Sequence, residues 1–456
     1  MNTMPAVYPF HAVQYARRGE AGKAVDLSSV VAPPYDVLDA ADKQRLLQRD
    51  GKNIVGVDLP HVPPKQLGPP EAYARAAEAY RAMFSGGTLA RRATPAMFAY
   101  RQTFMDGRSR TQRSGMACCI DVVPMGPRPG AGGVLPHEET FSGPKEDRLA
   151  LMTATRTQLS PIFGLHADER GAGNAALGGV MSARTPDFTA ATDDGTLHEV
   201  WTVEDGPTIA AYQRALTGED VFIADGHHRY NTALSYLKRL EAGGGGEAIA
   251  ADHPARRCMV VLVAMSDPGL VIWPTHRVIG GMADYSFDAF AKATHGLLSI
   301  RPERGELADL ETRMGECTIP PHPLPRNVIG LFDFATGRAY TATLSQADPL
   351  AAKFPDKPPS WRHLDVAVVQ HAIVEQVCQP VLNRGKAVSW MFPHTIREIE
   401  QIGREASPGA AQLAMIVRPT PLQAVREISR AGVLMPQKST FFYPKLATGL
   451  FIHPLE

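Results

Sequence analysis

Ten consecutive residues near the middle of the chain carry the groups that a phosphate-binding site needs. They run from 224 to 233 and read Ala-Asp-Gly-His-His-Arg-Tyr-Asn-Thr-Ala. Arg229 offers a planar guanidinium that matches phosphate oxygens. Asp225 offers a carboxylate that could stand as a base or as a metal ligand. These residue types favour a site that handles phosphate over the simpler alternative, a helix start with two surface histidines.

The elements around this stretch are predicted to point its residues at a ligand. The apolar run 221–223 predicts a strand, and Gly226 permits a tight turn after it. A helix is predicted next, because apolar residues recur at helical spacing at Tyr230, Ala233, Leu234, Leu237 and Leu240. A turn that opens a helix presents backbone N–H groups and the positive end of the helix dipole, which together attract anions.

A second cluster of charged residues lies at 137–148, on a predicted loop before a helix. Glu138, beside His137, could act as a general base or hold Mg²⁺. Lys145 and Arg148 could hold phosphates. The alternative for this cluster is a solvated, charged loop.

Two smaller groups complete the candidate residues. Tyr35 and Asp36 follow a double proline, which forces an extended and rigid segment. His276 and Arg277 follow a predicted strand and could line the same cleft. A purely structural role is the alternative for both pairs.

Hairpin and helix patterns are mixed along the chain. Asp106-Gly107 and Thr336-Gly337 each sit between two apolar runs and predict hairpins. Helices are predicted over 40–49, 71–84 and 364–377, and strands over 53–59 and 441–452. The fold class we expect is α+β, with mixed or largely antiparallel sheets and packed helices. We expect three regions, at 1–125, 126–285 and 286–456.

Composition narrows the classes of protein to consider. The 456 residues contain 47 basic and 47 acidic side chains, so the formal net charge is zero and a nucleic-acid partner is not expected. No apolar run approaches 18 residues, so no membrane partner is expected. The start of the chain lacks the pattern of a signal peptide. Five cysteines without a CxxC pair are typical of a cytoplasmic protein. The P-loop and protein-kinase signatures are missing.

Four motifs, in this order along the chain, resemble the DUF1015 family. The resemblance runs from about residue 8 to 455, and many members of that family have no assigned function. The motifs lie at 32–37 (Ala-Pro-Pro-Tyr-Asp-Val), 137–140 (His-Glu-Glu-Thr), 224–230 and 435–445 (Met-Pro-Gln-Lys-Ser-Thr-Phe-Phe-Tyr-Pro-Lys).

The turn at 225–229 also resembles the phosphate-binding turn of the ParB/sulfiredoxin-like superfamily, which includes free-serine kinases. This resemblance implies a ParB/sulfiredoxin-like core with elaborations. It also implies phosphorylation of free L-serine to O-phosphoserine, with ATP or ADP and Mg²⁺ as cofactors.

The same resemblance assigns roles to residues. It implies that Asp225 and His228 are catalytic and that Gly226, His227 and Arg229 contact phosphate. Glu138 is the first choice for the general base and Asp36 the second. The expected metal ligands are Asp225 and Glu138. The residues expected to bind the amino-acid substrate are Tyr35, Asp36, His137, Thr140, His276 and Arg277.

Two other functions remain open at this point. One is a nucleotide-binding regulatory module of the ParB type that does not turn over a small molecule. The other is a metal-dependent hydrolase that uses His137, Asp225, His227 and His228, although their spacing does not specify a ligand set.

Overall fold

The computed structural model of the chain describes residues 6–16, 23–128, 132–139, 142–243, 249–304, 306–316 and 327–456. Within these ranges the chain forms two compact units. The first contains Met1–Pro136, Thr140–Val271 and Phe442–Glu456, and the second contains His137–Glu139 and Ile272–Phe441. The division into three regions at residues 125 and 285 stays a prediction.

The strands are numbered in chain order. They are β1 Val7–Tyr8, β2 Val13–Tyr15, β3 Val25–Asp26, β4 Leu89–Arg91, β5 Met97–Asp106, β6 Ser109–Asp121, β7 Val134–Leu135, β8 Thr157–Gln158, β9 Ile162–His166, β10 Phe188–Ala191, β11 Leu197–Val203, β12 Val221–Asp225, β13 Arg257–Ala264, β14 Val271–Trp273, β15 Arg277–Gly280, β16 Leu298–Pro302, β17 Val328–Asp333, β18 Arg338–Leu344, β19 Ser389–Met391, β20 Leu413–Ile416, β21 Phe441–Tyr443 and β22 His453–Pro454.

The helices are numbered in the same way. The α-helices are α1 Ala40–Arg49, α2 Val55–Asp58, α3 Pro70–Ser85, α4 Ser142–Thr155, α5 Ala172–Ala183, α6 Gly206–Ala215, α7 His227–Gly243, α8 Phe287–Ala293, α9 Leu307–Glu316, α10 Pro359–Arg362, α11 Asp365–Val368, α12 Ile396–Glu405 and α13 Leu422–Arg430. Short 3₁₀ helices cover Tyr35–Val37 and Pro254–Arg256, and a π-helix covers Val369–Leu382. The α+β class predicted from the sequence is confirmed.

The first unit is built on one large mixed sheet with the strand order β3-β10-β11-β5-β6-β13-β9-β12-β7, and β1 pairs with β6. Most neighbours are antiparallel, while β13 and β9, β12 and β7, and β10 and β3 run parallel. The predicted hairpin at Asp106-Gly107 is confirmed as β5 and β6. Gly107 has φ of +59°, a left-handed conformation that favours glycine.

Helices α5, α6 and α7 supply apolar side chains to the core on this sheet. Tyr230, Ala233 and Leu237 of α7 are buried there, as their helical spacing predicts. Burying one such large side chain contributes roughly 1.5–3 kcal/mol. The core therefore fixes the orientation of α7, and with it the direction in which the turn before α7 faces.

The strand predicted over 53–59 is wrong, because residues Val55–Asp58 form the short helix α2. The cause is the side chain of Asn53. Its Oδ1 accepts the N–H of Val55 at 2.9 Å, and its Nδ2 donates to the carbonyls of Ser29 and Val31 at 2.9 and 2.8 Å. Asparagine that bonds nearby backbone in this way competes with a strand ladder and starts a helix instead.

The second unit contains the antiparallel sheet β16-β18-β17-β20-β15-β19. The predicted hairpin at Thr336-Gly337 is confirmed as β17 and β18. The helix predicted over 364–377 consists of α11 followed by the π-helix. The strand predicted over 441–452 is wrong for most of its length, because only its first three residues form a strand, β21, and β22 begins after it, at His453.

Four of the five cysteines lie in the described ranges. Cys118, Cys119, Cys258 and Cys378 are buried and free, and Cys317 lies outside those ranges. Among the helices of the described residues, none combines the length and the apolar character that crossing a membrane requires.

Candidate functional site

The turn at 225–229 has the strand-turn-helix arrangement that the sequence predicts. Strand β12 ends at Asp225, Gly226 has φ of +93°, and α7 begins at His227. A Cβ on Gly226 would lie 3.0 Å from the guanidinium carbon of Arg229. Glycine is therefore favoured at this position for two reasons. Its backbone can adopt the positive φ, and it leaves room for the guanidinium of Arg229, which folds back over the turn.

Asp225 is held between two cations. Lys445 Nζ donates to Asp225 Oδ1 at 2.6 Å, and Arg229 donates to Asp225 Oδ2. The exposed fractions of the three side chains are 17% for Asp225, 8% for Arg229 and 16% for Lys445. Burial alone would raise the pKa of Asp225, but Lys445 and then Arg229 outweigh it and hold that pKa well below its usual range. Asp225 is therefore an ionised partner of cations and a weak proton acceptor.

Lys445 is a site residue that the sequence reasoning missed. It belongs to the last of the four motifs, at 435–445, but it lies 220 residues from Asp225 in the chain. Its place at the end of that motif, directly after a proline, is the only signal in the sequence that singles it out. The pairing with Asp225 depends on tertiary structure.

Arg148 is buried in a network beside the turn, within the first unit. Its guanidinium lies 3.8 Å from the centre of the Tyr35 ring. It donates to the carbonyl of Asp58 at 2.6 Å and pairs with the carboxylate of Asp147 at 2.8 Å. Tyr35, Asp58, Arg148 and Arg229 line one cavity of about 30 Å³, which holds about one water molecule. Arg148 thus binds protein partners, and the phosphate contact predicted for it stays a prediction.

Asp36 also lies in this network. Burial lowers the pKa of Arg229, but the carboxylates of Asp225 and then Asp36 outweigh burial and raise it. Among the described residues, Asp36 Oδ1 is buried without a hydrogen-bond partner. A buried carboxylate oxygen with no donor is costly, and such atoms call for an explanation such as a catalytic role.

Other members of the network carry no signal in the sequence. His61 Nε2 lies 2.9 Å from Asp147 Oδ1, and the Tyr73 hydroxyl donates to the same oxygen at 2.8 Å. Ser160 donates to Asp58 Oδ2 at 3.0 Å. Burial raises the pKa of Asp58 despite the nearby Arg148. These residues come from four separate segments, so only folding brings them together.

Three further candidates, His227, His228 and Lys145, lie on the helices α7 and α4. His227 and His228 form the first turn of α7, and His227 is buried. Lys145 is half-buried on α4, a helix that packs against α7. Thr140 lies outside the described residues. The roles predicted for His227, His228, Lys145 and Thr140 stay predictions.

The second unit holds a different group of candidates. Glu138 Oε1 accepts the N–H of Ser439 at 2.9 Å, the N–H of Thr440 at 3.1 Å and the Thr440 hydroxyl at 3.3 Å. His137 Nε2 lies 2.7 Å from the same hydroxyl. Glu138 thus fixes the backbone at 439–440, which is a structural task for this carboxylate.

His276 and Arg277 lie in the same unit as Glu138. Arg277 is fully buried and donates to the carbonyls of Thr275, Gln437 and Lys438. Burial lowers its pKa to about 10, although Glu138 raises it. His276 Nδ1 accepts the N–H of Val417 at 3.2 Å. These contacts hold backbone segments of the second unit in place, and the predicted substrate contacts stay predictions.

A second strand-turn-helix junction, at Gly171 in a formal G-x-G-x-x-A pattern, differs from the turn at 225–229. The Asp168 carboxylate accepts the N–H groups of Gly173 at 2.9 Å and Asn174 at 2.9 Å, so the protein itself supplies the anion at the start of α5. At the start of α7 the nearest carboxylate, Asp225, is bound to two cations instead.

The described residues contain no group of three or more His, Cys, Asp or Glu side chains placed to hold a metal ion. The hydrolase alternative therefore has no ligand set in that part of the chain.

Comparison with known proteins identifies the family. A model of the family described as "Protein of unknown function (DUF1015)" matches residues 7–367. The chain belongs to this family. No curated protein sequence matches it.

Several solved structures have a distant similarity to this DUF1015 protein. One is a free serine kinase in complex with AMP, at 10% identity and a TM-score of 0.30, covering 70% of this chain and 88% of that one. A conserved hypothetical protein from Pyrococcus furiosus has 11% identity, a TM-score of 0.30 and coverages of 68% and 89%. SbnI with a C-terminal truncation, from Staphylococcus aureus, has 11% identity, a TM-score of 0.31 and coverages of 69% and 82%. TM-scores of this size do not establish a common fold.

Proposed function

We propose that the chain is a phosphotransferase that binds a nucleotide, ATP or ADP, at the turn 225–229. It would transfer the terminal phosphoryl group to the hydroxyl of a small molecule, and free L-serine is the first candidate because of the turn's resemblance to that of free-serine kinases. The observation that carries the proposal is the pair of cations, Arg229 and Lys445, on Asp225 at the start of α7.

The charges at the turn suit phosphoryl transfer. In that reaction the bond between the terminal phosphorus and the bridging oxygen breaks, a bond from the acceptor oxygen to phosphorus forms, and the acceptor hydroxyl loses its proton. Catalysis depends mainly on positioning the phosphate and stabilising its charge. Arg229 and the N-terminus of α7 supply positive charge for the nucleotide phosphates, and Gly226 lets the backbone approach them.

The general base is better assigned to Asp36 than to Glu138. Asp36 has a buried oxygen without a donor among the described residues, whereas Glu138 Oε1 accepts three hydrogen bonds from residues 439 and 440. Asp36 also acts on Arg229, which places it in the network of the turn. We therefore assign proton removal to Asp36.

Asp225 and His228 keep the catalytic roles that the resemblance implies, in a more specific form. Asp225 is too weak a base to take a proton, so we assign it the task of orienting Arg229 and Lys445. We assign to His228, in the first turn of α7, the task of donating to a phosphate oxygen or to the leaving oxygen.

Mg²⁺ is the cofactor that nucleotide phosphates usually bring with them, and it takes oxygen ligands. Both oxygens of Asp225 already bind cations, so Asp225 does not fit as a direct ligand in this arrangement. We assign no step of the reaction to the metal.

Two further features belong to the same proposal. We propose a ParB/sulfiredoxin-like core around the turn, because the motif of the turn resembles the phosphate-binding turn of that superfamily. We also retain Tyr35 among the residues near the acceptor, because its ring packs against Arg148 at the cavity that Arg229 lines.

The test is transfer of phosphate from ATP or ADP, with Mg²⁺, to each free amino acid and to small hydroxy acids. We expect product from serine. Asp36→Asn should lower turnover by roughly 10²–10⁴-fold, the usual contribution of a general base, and His228→Ala should also abolish most turnover. Asp252→Asn, at an exposed aspartate of the first unit, is the matched control and should leave turnover unchanged.

Two outcomes would count against this proposal. Nucleotide binding without transfer to any acceptor would favour the regulatory module instead. Full activity of both Asp36→Asn and His228→Ala would contradict the assignment of residues while leaving the reaction standing.

A further inference from the structure

Lys445 is held in place through its backbone by two buried polar side chains. Arg113 donates to the carbonyl of Tyr443 at 2.8 Å and to the carbonyl of Pro444 at 2.6 Å. Gln102 Nε2 donates to the carbonyl of Lys445 at 2.9 Å, and Gln102 Oε1 accepts from Arg113. Three consecutive carbonyls are thus bound by one coupled pair of side chains: that of Tyr443, the last residue of β21, and those of the two residues after it.

Arg113 is unusual because it is fully buried and donates hydrogen bonds to three neutral oxygens. Its side chain is 1% exposed and its guanidinium lies 4.4 Å from the centre of the Phe163 ring. Burial lowers its pKa to about 10. Burying a charge there costs free energy, so neutral groups would hold an ordinary turn at a lower cost in free energy.

These hydrogen bonds hold Lys445 at the end of β12. Gln102 and Arg113 lie on the neighbouring strands β5 and β6 of the large sheet, so the position of residues 443–445 is tied to rigid elements. Lys445 remains 16% exposed while it binds Asp225, so its ammonium group is at the boundary with solvent.

Two cations and two carboxylates meet at this point. Arg229 and Lys445 share the carboxylate of Asp225, and Asp36 is the next acidic group that acts on Arg229. The side chain of Lys445 is 16% exposed and that of Arg229 is 8% exposed, and Arg229 also donates to the carbonyl of Pro161. An anionic ligand that reaches the turn can therefore contact the lysine while Arg229 keeps its own bonds.

We infer that Lys445 is a phosphate-binding residue of the turn 225–229 and that Gln102 and Arg113 are positioning residues that hold it there. This inference rests on the proposed function, because it takes the turn to be the nucleotide-phosphate site. It adds a lysine from the far end of the chain that the motif of the turn does not contain.

The first test measures binding of ADP, and separately of inorganic pyrophosphate, to the full-length protein by calorimetry. Lys445→Met should weaken the binding of both ligands at least 10-fold. Lys52→Met, at an exposed lysine of the same unit, is the matched control and should bind as the wild type does. The double variant Asp225→Asn with Lys445→Met removes both charges of the pair, so a loss of binding cannot be due to misfolding around one unpaired charge of that pair. The double variant should also bind at least 10-fold more weakly than Asp225→Asn alone.

The second test separates positioning from plain stability. Gln102→Met removes the hydrogen bond to the Lys445 carbonyl and should weaken ADP binding about 3- to 10-fold. Thr103→Val, at the next residue of β5, removes a buried hydroxyl that accepts from Gln112 at 3.2 Å and does not touch residues 443–445. It should lower the melting temperature comparably while leaving ADP affinity unchanged.

The outcomes distinguish the inference from the proposed function. If the wild type binds neither ADP nor pyrophosphate, the proposed function itself fails. If the wild type binds them and Lys445→Met binds equally well, the role of Lys445 is refuted. If Gln102→Met and Thr103→Val change affinity equally, Gln102 has no positioning role.

Discussion

The pair formed by Asp225 and Lys445 can be tested without knowing the ligand, through a double-mutant cycle on stability. The cycle compares the wild type, Asp225→Asn, Lys445→Met and the double variant. If the ion pair exists in solution, the losses in free energy of unfolding of the two single variants should add up to more than the loss of the double variant. The difference is the coupling energy of the pair.

The structure sets the size of this coupling. Two unit charges about 4 Å apart interact by about 4 kcal/mol at the effective dielectric constant of a protein surface. Asp225 and Lys445 are in direct contact, but 17% and 16% of their side chains are exposed, so solvent screens the pair. We expect a coupling of about 2 kcal/mol. Asp225→Asn should be the costlier single change, at about 3 kcal/mol, because it leaves two cations without their shared counter-charge.

Urea unfolding read by pulsed hydrogen exchange is the suitable assay. Peptides from β12 and α7 report on the first unit alone, which avoids assuming that the two units unfold together. The cycle Asp225→Asn with Lys52→Met is the control and should show additive effects. A coupling below about 0.5 kcal/mol for the real pair would refute the reasoning, because independent sites reach that value.

Two further predictions concern pH and Glu138. His166, His198 and His453 are buried, and burial lowers the pKa of each from 6.5 to about 4. As the pH falls, these histidines therefore become protonated near pH 6.5 in the unfolded chain but only near pH 4 in the folded chain. The free energy of unfolding should decrease as the pH falls from 6.5 to 4, by up to about 3 kcal/mol per histidine. Urea midpoints that stay constant between pH 7 and 4.5 would contradict this. Glu138→Gln should lower the melting temperature of the second unit yet keep turnover within about 3-fold, and a loss of 100-fold or more would return the role of base to Glu138.

Local patterns in the sequence predicted the part of the site that is local. The apolar run 221–223, Gly226 and the helical spacing from Tyr230 onward predict a strand, a turn and a helix, and these elements are present as β12 and α7. These predictions are correct because the structure of each element depends on residues close to it in the sequence. The strand predicted over 53–59 fails because Asn53 forms hydrogen bonds with Ser29 and Val31, more than 20 residues away.

The sequence by itself determined the family, the α+β class, the hairpins and the turn with Asp225 and Arg229, because composition, periodicity and motifs record these directly. Only the tertiary structure decided which distant groups join that turn. It placed Lys445 on Asp225 across 220 residues, and it left Glu138 bound to the backbone at 439–440. The physical reason is that ion pairs and buried hydrogen bonds depend on distances in space, which spacing along the chain does not encode.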